Sequence, residues 1–304
     1  MRSAVSKRLV ETIVACFALA LSRHPQAKEM SSPPALGYIT ISSQGLAAHL
    51  YIPSGSGPFP TVIAVGGSEG GFITGDAFGQ FLPKNGFAVL GVAYFGAEKL
   101  PPAIDRIPLE YFIKALDYVE RDSRLDSRNI GLVGGSKGGE LALLLAAQES
   151  RIHAVCAIVP SNVVWQSARL VDRPTSSWTF RGVQLPFVPY KGPLMPASRR
   201  LTDLFELSLL QPAAVAAATI PVEHIGGAIL LISASHDEIW PSKQMSDRIV
   251  ARLAELKFRY SVQHLTYETG HGFSTALAPE VNNKIVQFFE GTLKRTAGDS
   301  AKAQ

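Results

Sequence analysis

Three residues have the types and spacing of a nucleophile, a base and an orienting acid: Ser136, His271 and Asp237. Ser136 stands in Ile130-Gly-Leu-Val-Gly-Gly-Ser-Lys-Gly-Gly-Glu-Leu-Ala-Leu-Leu-Leu-Ala-Ala-Gln148, which reads as an apolar strand, a glycine-rich corner and a helix with an apolar face. Gly134-x-Ser136-x-Gly138 fits a nucleophile elbow, where the serine tips a strained strand-to-helix turn and the glycines keep side chains out of the corner. A serine hydroxyl is a poor nucleophile at neutral pH. It needs a neighbouring base, and the base needs a third group to fix its tautomer and stabilise its charge. His271 follows the stretch ending near Tyr267, in Glu268-Thr-Gly-His-Gly-Phe273, and Asp237 follows Ala228 to Ser233.

Acyl chemistry at such a serine also needs donors aimed at a developing oxyanion. One is the backbone N–H after the nucleophile, that of Lys137. The other comes from Gly66-Gly-Ser-Glu-Gly-Gly71, where the N–H of Gly67 or Ser68 is in place. The same glycines could cradle a phosphate, but they lack the Gly-Lys-Ser/Thr ending of a P-loop and the spacing of the dinucleotide fingerprint. Several rivals stand nearby. His236 and Glu238 flank Asp237, and the residues alone leave Glu238 open as the orienting acid; Glu69 and His264 read as structural or peripheral, His264 lying within a strand.

The elements that must position these groups follow from the pattern. Gly37 to Ser42 and Leu46 to Ile52, joined at Gly45, read as a β-hairpin, and Pro53 to Pro60 as a loop. Strands are expected at Thr61 to Val65, Ala88 to Val92, the stretch before Ser136, Ala154 to Val159, Ala228 to Ser233 and Ser261 to Tyr267. Helices are expected at about Asp76 to Asn85, Leu109 to Asp122, after Ser136, Ser242 to Leu256 and Pro279 to Lys294. That alternation predicts an α/β fold with a mostly parallel eight-stranded sheet covered by helices. All three candidates then lie beyond carboxyl ends of strands, in the α/β-hydrolase order Ser, Asp, His. From about 161 to 221 the alternation stops, and prolines, aromatics and arginines fill a segment with short helical pieces such as Leu201 to Leu210. It is expected to form a cap over the strand ends. Its Trp165, Trp178, Phe180, Phe187 and Tyr190 suit either an acyl pocket or the cap's own core. Its Arg169, Arg173, Arg181, Lys191, Arg199 and Arg200 suit either an anionic head group or a solvated face.

The composition, 46% hydrophobic and 18% charged in 304 residues with a formal charge of +4, is that of one large globular domain. The positive residues are scattered, so nucleic acid is not an expected partner. Residues 1–36 read as a leader and tether before a catalytic domain over 37–304. Arg2, Lys7 and Arg8 precede the apolar run Ile13 to Leu21, the order of an export signal, although Glu11 interrupts it. The run is too short to span a bilayer, so membrane attachment is expected only through the leader, where Ile13-Val-Ala-Cys16 resembles a lipobox. Export, periplasmic or secreted, and a cytoplasmic enzyme with a disordered start are both open. Cys156 lies in an apolar run and reads as a buried core thiol; with Cys16 it makes neither a disulfide framework nor a metal cluster.

Beyond these readings, the chain from about Pro58 to Lys294 resembles the C-terminal catalytic domain of the acyl-CoA thioesterase and bile acid-CoA:amino acid N-acyltransferase family. The similar blocks are Gly86 to Tyr94, Ile130 to Ala142 with its Ser136-Lys-Gly-x-Glu140 continuation, Asp237-Glu-Ile-Trp240 with Ser242, and Tyr267-Glu-Thr-Gly-His271. The resemblance implies an α/β-hydrolase fold, a covalent acyl-enzyme, no metal or cofactor, an acyl thioester or related ester substrate, and triad roles for Ser136, Asp237 and His271. It favours Asp237 over Glu238, because the family's acid stands three residues before that tryptophan. Two departures matter: family members carry a β-sandwich domain before the catalytic one, and the amino-acid-conjugating branch has cysteine where this chain has Ser136. Hydrolysis is therefore expected over transfer to an amine or alcohol, with an exported carboxylesterase and a non-enzymatic scaffold as alternatives.

Overall fold

The computed structural model describes residues 37–167, 173–192 and 200–294. The leader, Cys16, Arg169 and Arg199 lie outside the described residues. Eight strands form the main sheet: β1 (Ile39–Ser43), β2 (Leu46–Tyr51), β3 (Phe59–Val65), β4 (Ala88–Ala93), β6 (Leu125–Gly135), β7 (Ala154–Ile158), β10 (Ala228–Ala234) and β11 (Val262–Tyr267). Their spatial order is β1-β2-β4-β3-β6-β7-β10-β11. The first two pairings, β1 with β2 and β2 with β4, are antiparallel, and the other five are parallel. Every residue of β4 and β10 is buried, as expected where helices cover both faces of a parallel sheet. The hairpin turn at Gln44 and Gly45 has φ of 53° and 77°, the left-handed pair that matches strand twist.

The helices are α1 (Ile73–Gly79), α2 (Glu110–Arg121), α3 (Lys137–Gln148), α4 (Leu201–Ser208), α5 (Pro212–Ala218), α6 (Ser242–Glu255) and α7 (Ala278–Leu293). Differences from the sequence pattern are local. The helix expected over Asp76 to Asn85 splits into α1 and a 3₁₀ turn at Pro83–Asn85. Phe59 and Pro60, expected in a loop, open β3 opposite Leu125 and Asp126 with a register shift after Pro60; a proline is tolerated at the start of a strand. A separate three-stranded sheet, β5 (Ile107–Pro108), β8 (Trp178–Phe180) and β9 (Val183–Gln184), was absent from the expected elements. It ties the segment between β7 and β10 to the loop before α2.

That segment carries a small core of its own. Val163, Trp165, Val188, Phe205, Leu209 and Ala218 are buried together with Trp240 and Met245, which come from beyond β10. The segment is thus packed onto the end of the sheet where β6, β10 and β11 finish.

Candidate active site

β6 delivers Ser136 into a turn that an L-residue adopts only under constraint, with φ 54° and ψ −121°. The turn is over-determined. Ser136 N–H donates to Ile158 O of β7 at 2.8 Å, and Ser136 O accepts from the N–H groups of Gly139 and Glu140. A Cβ at Gly134 would sit 2.1 Å from Gly138 O, and one at Gly138 would sit 2.5 Å from Gly66 O. Strand, helix and the Gly66–Gly71 loop meet backbone to backbone, which only glycine permits.

The ends of β10 and β11 bring the other two groups to the serine. His271 Nε2 lies 2.9 Å from Ser136 Oγ, and its Nδ1 lies 2.9 and 3.0 Å from the two carboxylate oxygens of Asp237. The side chains of Asp237 and His271 are 2% and 13% exposed, so this chain of hydrogen bonds is largely shielded from water. Asp237 is itself held: its Oδ1 accepts from the N–H groups of Ile239 and Trp240 at 3.0 and 3.2 Å, and Thr202 Oγ1 donates to its carbonyl at 2.9 Å. Trp240 stands edge-on to the His271 ring, 5.9 Å between centroids, and donates its indole N–H to Val159 O. With Nδ1–H turned to Asp237, Nε2 can accept the serine proton.

Of the rivals, Glu238 accepts from the backbone N–H of His271 at 2.9 Å, and so holds the loop, not the ring. A Cβ on the neighbouring Gly270 would meet its carboxylate at 2.5 Å. His236 is exposed. Glu69 accepts from the N–H of Gly67 at 2.9 Å and from the Thr74 hydroxyl. The Gly67 N–H, one of the two loop donors expected from the sequence, is thus bonded to a carboxylate. Ser68 and Lys137 both line the cavity at Ser136, and the Lys137 N–H, in the first turn of α3, has no helical acceptor. The loop is fixed from outside by Tyr94, whose hydroxyl donates to Gly66 O at 2.8 Å.

Sequence reasoning used only the backbone of Lys137 and missed its side chain. Lys137 Nζ donates to both carboxylate oxygens of Glu140 at 2.6 Å and lies 5.3 Å from the centre of the Trp178 ring. Glu140, fully buried, also accepts from Trp178 Nε1 at 2.7 Å and from Trp165 N–H at 3.3 Å. One carboxylate thereby joins the elbow helix to the segment above it. Burial pushes the Lys137 ammonium below and the Glu140 carboxyl above their ordinary pKa values, each opposed by the other's charge. The available signal was an acid and a base three apart in a helix otherwise rich in Leu and Ala.

The remaining sequence candidates divide by burial. Trp165 and Trp178 are core, Phe180 and Phe187 pack against the main core, and of the five aromatics only Tyr190 lines the cavity. Arg173, Arg181, Lys191 and Arg200 are exposed. Cys156 is buried and free, its thiol pushed well up by burial.

A family model described as BAAT / Acyl-CoA thioester hydrolase C terminal matches residues 107–294. The chain is 29% identical over 221 residues to acyl-coenzyme A thioesterase 2, mitochondrial, of Mus musculus, covering 72% of this chain and 46% of that protein. It is 30% identical over 207 residues to acyl-coenzyme A amino acid N-acyltransferase 2 of Rattus norvegicus, covering 67% and 46%. The chain spans about half the length of these curated relatives. Among solved structures, a Mycobacterium tuberculosis puromycin-hydrolyzing peptidase superposes with TM-score 0.59 at 17% identity, over 87% of this chain and 40% of that one. The Pyrococcus horikoshii acylaminoacyl peptidase does so with TM-score 0.59 at 16% identity, over 85% and 41%. At such identities the likeness shows the fold, that of the α/β-hydrolases.

Proposed function

Because the chain belongs to the BAAT / acyl-CoA thioester hydrolase family, we propose that it is a serine hydrolase of acyl thioesters or related acyl esters, acting through a covalent acyl-enzyme. The observation that carries this reading is the unbroken series Ser136 Oγ, His271 Nε2, His271 Nδ1, Asp237, with links of 2.9 to 3.0 Å, at a strained turn lining a cavity. Ser136 Oγ attacks the acyl carbonyl carbon and gives its proton to His271 Nε2. The resulting oxyanion is held by the N–H groups of Ser68 and Lys137. Collapse breaks the bond to the thiolate or alkoxide, which leaves with the proton from His271. Water then attacks the acyl-serine, its proton passing to His271 and on to Ser136 Oγ as the carboxylic acid departs. Asp237 keeps the imidazole in the required tautomer and balances its transient charge.

Acyl transfer to an amine is the second reading, favoured by the likeness to an N-acyltransferase. The test is turnover of matched acyl-CoA and oxygen-ester substrates by the full chain and by Ser136→Ala, with and without an amine acceptor. Serine-dependent release of free acid supports hydrolysis, and amide formed in its place supports transfer. Turnover undiminished in Ser136→Ala would sink both. Export through residues 1–36 would separate the enzyme from cytosolic CoA thioesters, so a strong preference for oxygen esters is the outcome expected of an exported enzyme.

A further inference from the structure

Where the acyl group can lie limits what Ser136 can hydrolyse. The cavity beside Ser136 has a volume of about 20 Å³. An apolar cavity of about 150 Å³ takes one benzene, so this space suits a group smaller than that ring. Its far side is closed by rings, not by loops. Phe205 meets Trp165 edge-on with centroids 4.8 Å apart, and meets Tyr190 and Trp240 edge-on at 5.6 Å each. The three outer rings are tethered: Trp165 Nε1 donates to Ser161 Oγ at 2.8 Å, Tyr190 Oη to Gln166 O at 3.1 Å, and Trp240 Nε1 to Val159 O at 3.0 Å. Phe205, 3% exposed, is the ring at their centre. Close-packed interiors resist compression, so a longer chain would have to displace this ring against neighbours that hydrogen bonds hold in place.

We propose that the site takes short acyl groups, of about two to four carbons, and that Phe205 is the residue that sets this limit by closing the acyl end of the cavity. The inference rests on Ser136 being the nucleophile, as argued above. Its test uses probes that need no knowledge of the natural leaving group: alkylphosphonofluoridates bearing an ethyl, octyl or hexadecyl chain on phosphorus. Ser136 Oγ displaces fluoride from phosphorus, the serine proton passes through His271 to solvent, and the adduct is counted by intact mass.

The full chain should label with the ethyl probe at least about tenfold faster than with the hexadecyl probe. Phe205→Ala should narrow that ratio by a similar factor, with Phe205→Leu between the two. Melting curves identify a variant that has failed to fold, and the wild-type ratio stands without either. Equal or faster labelling by the hexadecyl probe in the wild type overturns the short-acyl limit while leaving Ser136 as nucleophile. An unchanged ratio in folded Phe205→Ala overturns the role of Phe205. No adduct from any probe overturns both this inference and the hydrolase reading. Rapid ethyl labelling without turnover of any thioester or ester supports the short cavity and contradicts only the hydrolase reading.

Discussion

Two Ser–His–Asp clusters lie among the described residues, and they share their residue types but not their geometry. In one, His271 joins Ser136 at 2.9 Å to Asp237 at 2.9 Å. In the other, His264 Nε2 lies 2.8 Å from Ser233 Oγ and its Nδ1 lies 3.5 Å from Asp247 Oδ1. Ser233, however, sits within β10 and is fully buried, and its hydroxyl is shared with Thr266 Oγ1 at 3.1 Å. The Asp247 side chain is 48% exposed where that of Asp237 is 2% exposed. Ser136 stands at a strained turn that lines a cavity, where Ser233 lies buried in a regular strand. A hydrogen-bonded series orients a proton. Access and oxyanion donors are what turn it to acyl chemistry.

Paired substitutions break or sharpen this contrast. The largest effect is expected at the serines: Ser136→Ala should lower kcat by at least about 10⁴-fold, whereas Ser233→Ala should stay within about twofold. Steady-state turnover of a short acyl ester reads both. Next come the acids. Asp237→Asn should cost about 10⁴-fold in kcat by allowing the wrong imidazole tautomer, and Asp247→Asn should leave kcat near wild type. Behind Ser136 alone lies a buried ion pair, so Glu140→Gln, which strands the Lys137 ammonium, should lower unfolding free energy by about 3–5 kcal/mol. Urea denaturation measures this, and an unchanged midpoint would remove Glu140 as the joint between α3 and the segment above it.

The smallest effect concerns the second cluster and pH. Burial depresses the His264 pKa below its ordinary 6.5, partly offset by Asp247. A depressed pKa means the unfolded chain binds more protons, so this contribution to stability is present above pH 6.5 and is lost as pH falls through the lower folded value. His264→Gln should therefore flatten the fall in urea midpoint between pH 7 and pH 5. His153, whose pKa burial also depresses, contributes to the slope that remains.

Much of this was legible in the residues. The six alternating strands, the hairpin at Gly45 and the placement of Ser136, Asp237 and His271 beyond strand ends all follow from local periodicity and turn chemistry. The strand order did not, because it depends on contacts between distant segments. β8 and β9, three and two residues long, are too short for any periodic signal. The Gly66–Gly71 loop offered Gly67 and Ser68 as donors, and the hydrogen bond that ties the Gly67 N–H to Glu69 forms only in the folded loop. Glu140 carries no signal beyond its motif, since its partners Trp165 and Trp178 lie 25 and 38 residues away and reach it only in the packed fold.

The most direct measurement is to mix the full chain with a short acyl ester, quench in acid within the first turnover and map the adduct by peptide mass. An acyl group on the peptide bearing Ser136, absent from Ser136→Ala, is the predicted result. An acyl group on Ser233 or another residue, or turnover that survives in Ser136→Ala, would contradict the assignment of Ser136 as the nucleophile.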